Sequence, residues 1–159
     1  PVLIQSKIKI TKETNQKELS GKMSELGAKL ILDSLKLIEN KKVNFIEQNE
    51  SNATYAKKIE KTETRLNWND DADKVIAKIN AFCPSPGCWF EFNGVRIKII
   101  KAKRVINQGM PGTVLDDKLT IACSKNAIQV IELQKEGKQK ITADEFLRGN
   151  TIKTGKSLN

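Results

Sequence analysis

Residues 80–104 read NAFCPSPGCWFEFNGVRIKIIKAKR. The stretch holds a helix end, a turn with two prolines, and two runs of β-forming residues joined by Asn93-Gly94. Asn-Gly suits a two-residue type I′ hairpin turn, because both central residues must take positive φ and these two tolerate it. The pattern predicts strands over about 88–92 and 95–105. On the second strand Val95, Ile97 and Ile99 alternate with Arg96 and Lys98, which sends apolar groups inward and cations outward. The phase then changes: Ile99 and Ile100 are adjacent, and Lys101 and Lys103 take the parity that was apolar before. A bulge or a barrel corner is expected there, and a bulge leaves the cations on one wet side. From Arg96 to Arg104 the strand carries five basic residues and no acidic one.

Just upstream, an Asn69/Asp70 cap precedes Ala72, Val75, Ile76 and Ile79, one face of a helix ending near Phe82, where Pro84 prevents continuation. Downstream, a turn at 109–112 leads to short strands near 113–115, 119–124 and 127–133. Several short strands at this spacing predict a small barrel. Thr142 and Glu145 form a capping box for a last short helix through Leu147, with Gly149 as its stop.

Further upstream, residues 40–64 are polar, charged and nearly without apolar periodicity, as in a linker. A short helical turn is expected between Tyr55 and Lys61. Before them, Asn15 and Glu18 cap an amphipathic helix over about 16–39, with Leu19, Met23, Leu26, Leu30 and Leu37 at helical spacing and Ile31 and Ile38 beside them. Val2, Ile4, Ile8 and Ile10 alternate with polar residues as a period-2 strand. The wide helix stripe needs a sheet to cover it, so residues 1–40 read as a terminal β-α unit whose packing partner lies upstream.

The chain has 159 residues, net charge +9 and a hydrophobic fraction of 38%, enough for a modest core. Up to Glu63 there are 12 basic and 9 acidic residues; beyond it there are 16 and 10. The excess lies mostly in the second half and implies a polyanionic partner for it. No apolar run approaches a membrane span, and the first residues lack the order of a signal peptide, so a cytoplasmic protein is expected. With no histidine, and with Cys83, Cys88 and Cys123 spaced as neither a disulfide framework nor a zinc ribbon, the cysteines read as reduced packing residues and no metal site is expected. Asp70, Asp71 and Asp73 suit a helix start better than a catalytic cluster. No phosphate-cradling glycine loop is present.

Several motifs in order resemble one family. They are Tyr55-Ala56-Lys57-Lys58-Ile59-x-Lys61, Leu66-Asn67-Trp68, the helix at Ala72, Ala81-Phe82-x-Pro84-x-Pro86-Gly87, Trp89, Pro111-Gly112-Thr113-Val114, and Leu133-Gln134-x-x-Gly137-Lys138-x-x-x-Thr142. Together they resemble the linker and C-terminal domain of methionyl-tRNA formyltransferases, and the helix from Asn15 to Gly27 resembles the last helix of the formyltransferase domain. The resemblance implies an α+β chain: residues 1–40 as the end of a Rossmann-like formyltransferase domain, 41–64 as linker, and 65–159 as an OB-like barrel. It implies an enzyme that formylates methionine on initiator tRNA from 10-formyltetrahydrofolate, as a monomer. The catalytic residues of that family have no counterpart here, so this chain is expected to bind no cofactor and to be inactive alone. Its role would be to hold tRNA through Arg96, Lys98, Lys101, Lys103 and Arg104, with Lys57, Lys58 and Lys61 contributing from the linker. Asn80, Cys83 and Ser85 stand where the family usually has Arg, Asn and Trp, which removes a cation and an aromatic from the turn. A sugar-nucleotide formyltransferase domain and a free-standing OB-type RNA-binding module are the alternatives.

Overall fold

A computed structural model describes residues 1–158. The chain divides into two compact units between Ile59 and Glu60.

In the first unit, helix α1 spans Gln16–Glu39, with the Asn15 side chain accepting from the Glu18 N–H at 3.0 Å. At the other end the Asn40 amide donates to the Lys36 carbonyl at 2.7 Å, and Lys41 takes positive φ. The expected stripe is only partly covered. Leu19, Leu26, Leu30 and Leu37 are half-buried, whereas Met23, Ile31 and Ile38 are more than half exposed. The strand expected over Val2–Ile10 does not form: Val2 exchanges two backbone hydrogen bonds with Ile46, and residues 4–10 join no ladder. Alternation marks a strand only where a neighbour pairs its backbone groups. Among the described residues that neighbour exists only at Val2.

The second unit opens with a 3₁₀ turn at Lys61–Thr64, where a short turn was expected a few residues earlier. Helix α2 spans Ala72–Phe82. Its cap is Asp71, one residue later than expected, whose carboxylate accepts from the Lys74 N–H at 2.7 Å. Ala72, Val75 and Ile79 form its buried face. Strands β1 (Cys88–Phe92) and β2 (Val95–Val105) make the hairpin, with Phe92 opposite Val95 and both turn residues at positive φ, Asn93 at 50° and Gly94 at 74°. Strand β4 (Ala127–Lys135) pairs with β2 along one flank. Along the other it pairs with two short strands, β3 (Thr120–Ala122) and β5 (Lys140–Thr142). The capping box at Thr142 starts helix α3 (Ala143–Gly149), as expected.

All the ladders are antiparallel, in the order β1-β2-β4-β3, with β5 beside β3 on β4. The sheet is not closed, in contrast to the expected barrel. Among the described residues the outer flank of β1 meets Arg65 in a single bridge at Trp89, whose carbonyl accepts from the Leu66 N–H at 2.9 Å, while β3 meets Val114 in a single bridge to Ile121. The expected strand near 113–115 reduces to isolated bridges of this kind, and Leu119, at φ 57°, breaks the run expected over 119–124. On the inner face Phe90, Ile97, Ile99, Ile121, Ile128 and Leu133 pack with Val75 and Ile79 of α2 and Phe146 of α3. Trp68 packs tilted against Phe90 at 6.0 Å between ring centroids, and its indole N–H donates to the Leu158 carbonyl at 3.1 Å.

Candidate nucleic-acid interface

The inner and outer faces of β2 are set by its register. Ile97 faces Phe90 and Ile99 faces Cys88 in the core, so Arg96 and Lys98 point the other way, opposite Glu91 and Trp89. Between Ile99 and Ala102 the register with β4 shifts twice, Lys101 lying opposite Glu132 and Ala102 opposite Val130. This is the expected bulge. It lets the sheet absorb the adjacent Ile99 and Ile100 and turns Ala102 inward, so Lys101 and Lys103 stay exposed. Four of the five expected cations on this strand therefore share its outer side. Arg104 does not: its Nε lies 3.3 Å from the Asp73 carboxylate on α2.

The other expected residues fall in two places. Lys61 belongs to the 3₁₀ turn of the second unit, whereas Lys57 and Lys58 lie in the first, exposed on irregular chain.

At the open flank of β1 the outer face deepens into a groove of about 560 Å³, lined by Lys61, Thr64, Arg65, Gly87, Trp89, Arg96, Lys98 and residues 134–137. Trp89 is its floor. The Arg96 guanidinium carbon lies 4.5 Å from the indole centroid and that of Arg65 5.6 Å. The indole N–H donates to the Thr64 hydroxyl at 3.0 Å, and that hydroxyl donates to the Lys61 carbonyl at 2.8 Å. Lys135 also lines the groove, but its ammonium donates to Asn150 at 2.7 Å and lies over the Phe146 ring. Sequence reading missed Arg65 and Trp89. The available signal was parity: with Cys88 and Phe90 inward, Trp89 is the one aromatic of β1 that strand alternation sends to the wet face between them.

With this groove and the hairpin placed, comparison with known proteins is direct. Residues 58–151 match the formyl transferase C-terminal domain. The chain belongs to that family. A methionyl-tRNA formyltransferase of Bradyrhizobium diazoefficiens is 39% identical over 158 residues, covering 97% of this chain and 51% of the relative. One of Pelagibacter ubique is 39% identical over 153 residues, covering 96% and 49%. The chain thus spans about half the length of the curated relatives it matches. Among solved structures, a multiply substituted HypX from Aquifex aeolicus shares the fold with TM-score 0.68 at 20% identity, over 88% of this chain and 27% of that one. HypX in complex with tetrahydrofolic acid aligns with TM-score 0.59 at 22% identity, over 74% and 22%.

Cys83, Cys88 and Cys123 are buried free thiols. Burial pushes the Cys88 thiol up to about 12 and that of Cys123 up to about 11. Among the described residues no three His, Cys, Asp or Glu side chains gather as a metal site, and no helix is long and apolar enough to cross a membrane.

Proposed function

We propose that this chain is the tRNA-holding part of a methionyl-tRNA formyltransferase. The observation that carries the reading is the one-sided row on β2, where Arg96, Lys98, Lys101 and Lys103 leave the strand away from the core. Cations spaced along a strand track phosphates and fix the register of a bound RNA without reading its bases. The names of the relatives supply the substrate class, here taken as initiator methionyl-tRNA.

In this reading the sheet is one wall of an OB-like barrel, completed by the chain around Arg65, Thr113 and Ser157. Residues 41–64 are a linker, and 1–40 are the end of a Rossmann-like formyltransferase domain. The formyl donor, 10-formyltetrahydrofolate, belongs with the portion of the relatives beyond this chain. The groove at Trp89 is cationic and open, with one half-buried aromatic, and does not fit a pterin ring that needs apolar cover. The residues here bind and orient tRNA, and the reaction runs elsewhere in a cytoplasmic, monomeric enzyme of translation initiation.

The test is binding of initiator tRNA to the 159-residue chain across a salt series, with formyl transfer measured in parallel. Expected are an affinity that falls linearly in log K against log salt and turnover at background. Absence of tRNA binding at low salt, or preferential binding of a sugar nucleotide, would overturn the reading.

A further inference from the structure

We propose that the groove at Trp89 is a phosphate-binding subsite that holds one phosphodiester of an RNA strand between Arg65 and Arg96. It rests on the tRNA reading only for the source of the phosphate. The subsite differs in kind from the open lysine row. Lys101 and Lys103 are exposed side chains of one strand, whereas the groove gathers cations from separate places in the chain: Lys61 and Arg65 in and just after the 3₁₀ turn, Arg96 and Lys98 from β2, and Lys135 from β4. Glu136 is the one acidic residue lining it among the described residues. Its volume of about 560 Å³ accommodates a nucleotide unit rather than a bare ion alone.

The cation–π contacts decide what the arginines can do. A guanidinium drawn to an indole by cation–π attraction, as those of Arg96 and Arg65 are at 4.5 and 5.6 Å from the Trp89 centroid, needs no carboxylate to hold it, and its planar N–H fork matches two phosphate oxygens at once. Neither Arg65 nor Arg96 has a carboxylate partner among the described residues. The Trp89 ring beneath them is itself fixed through Thr64 to the Lys61 carbonyl, so much of the ordering cost of the site is met on folding. Gly87 completes the wall. It takes φ +82°, and a Cβ there would come within 3.0 Å of the Lys98 side-chain stem, so the glycine is what lets that stem lie along the groove. With the ring already beneath two cations, the groove suits an anion better than a base stacked on bare indole.

The experiment uses the full chain, isotope-labelled, with the Trp89 indole N–H and the Arg65 and Arg96 Nε–H resonances as local reporters and the Trp68 indole as a control for the fold. The probes are a uridine pentanucleotide and inorganic pyrophosphate; the variants are Arg96→Lys and Lys103→Gln. The pentanucleotide should shift the three reporters saturably. Arg96→Lys should weaken its binding about tenfold with an unchanged salt slope, because the charge stays while the planar fork is lost. Lys103→Gln, which removes a whole charge from the open row, should cost less. If pyrophosphate saturates the reporters at lower concentration than the pentanucleotide, the phosphate subsite stands and the RNA reading of the groove fails. If neither probe moves the reporters, or Arg96→Lys binds both as tightly as the parent, the subsite is overturned, whatever the affinity of the chain for tRNA.

Discussion

The Arg96 guanidinium carbon lies 4.5 Å from the Trp89 indole centroid, although the two are not register partners: Trp89 faces Lys98, and Arg96 faces Glu91. They are diagonal neighbours across the hairpin, a separation that long and aromatic side chains can span. The pair is therefore a consequence of the two-residue turn. A register slip of one residue would send Trp89 into the core and Phe90 to the solvent.

Trp89→Phe keeps a ring beneath the arginines and loses the N–H bond to Thr64. It should cost about 1 kcal/mol in urea denaturation, the net value of one such bond. Trp89→Ala also gives up half-buried ring area and should cost about 2 kcal/mol. Equal stability of Trp89→Phe and the parent would mean that the bond to Thr64 contributes nothing net.

Asp116 makes a pH prediction. Its burial raises the carboxyl, but the Thr120 hydroxyl at 2.7 Å and the Thr120 and Lys118 N–H groups donate to it and outweigh burial, holding it below the usual carboxylate range. A carboxyl depressed in the folded state stabilises the fold above its unfolded value, and the contribution is lost as pH falls through the folded one. Asp116→Asn should thus be less stable than the parent near neutrality, and the gap should close in acid. A gap independent of pH, by thermal melting from pH 7 to below the usual carboxylate range, would show that the charge is irrelevant.

The buried thiols give a chemical test. With Cys88 and Cys123 pushed up to about 12 and 11 by burial, and Cys83 also buried, the native chain should react with Ellman's reagent at pH 8 far more slowly than a free thiol. All three cysteines should react at once in denaturant. Rapid native reaction of any one of them would contradict its burial.

What was legible in the sequence follows from range. Asn93-Gly94, the Asn15 cap, the Thr142-Glu145 box and the phase change at Ile99-Ile100 are local signals, and each lies where the structure has its turn, helix start or bulge. Pairing across long separations left no such trace. The alternation over Val2–Ile10 looks like a strand but lacks a ladder beyond Ile46. The closure expected from several short strands stops at the edges of β1 and β3, which meet single bridges at Arg65 and Val114. In the candidate site, parity placed Arg96 and Lys98 on the outer side of β2, and the phase change at Ile99-Ile100 accounts for Lys101 and Lys103. It could not show Arg104 turned to Asp73, nor Arg65 brought to Trp89 across 24 residues of chain.

The division between Ile59 and Glu60 orders the expected proteolysis. Lys57 and Lys58 lie on exposed irregular chain, while Lys61 sits in a turn whose last residue, Thr64, is buried and bonded back to it. Trypsin should cut after Lys57 or Lys58 before Lys61 and leave the second unit resistant. First cuts within 113–133, identified by fragment mass, would refute this order.

Charge reversal on β2 tests the surface as a whole. Lys98 and Lys101 both lie on the outer side, Lys98 half-buried in the groove and Lys101 exposed across from Glu132, which is itself engaged by Lys140 at 2.9 Å. Replacing both by Glu should weaken tRNA binding about a hundredfold or more at low salt, on about 1 kcal/mol or more for each charge-assisted interaction reversed. The slope of log K against log salt should fall by about 0.7 to 0.9 for each phosphate that the chain no longer neutralises. The fold should persist, because neither side chain is in the core. Arg104→Glu gives the contrast. Arg104 is already paired with Asp73, so its reversal should act mainly by placing two acids together at the first turn of α2, lowering stability with a smaller effect on the salt slope. If the double variant binds initiator tRNA with the parent's affinity and slope, the outer side of β2 is not the RNA surface, and Lys57 and Lys58 become the better candidates.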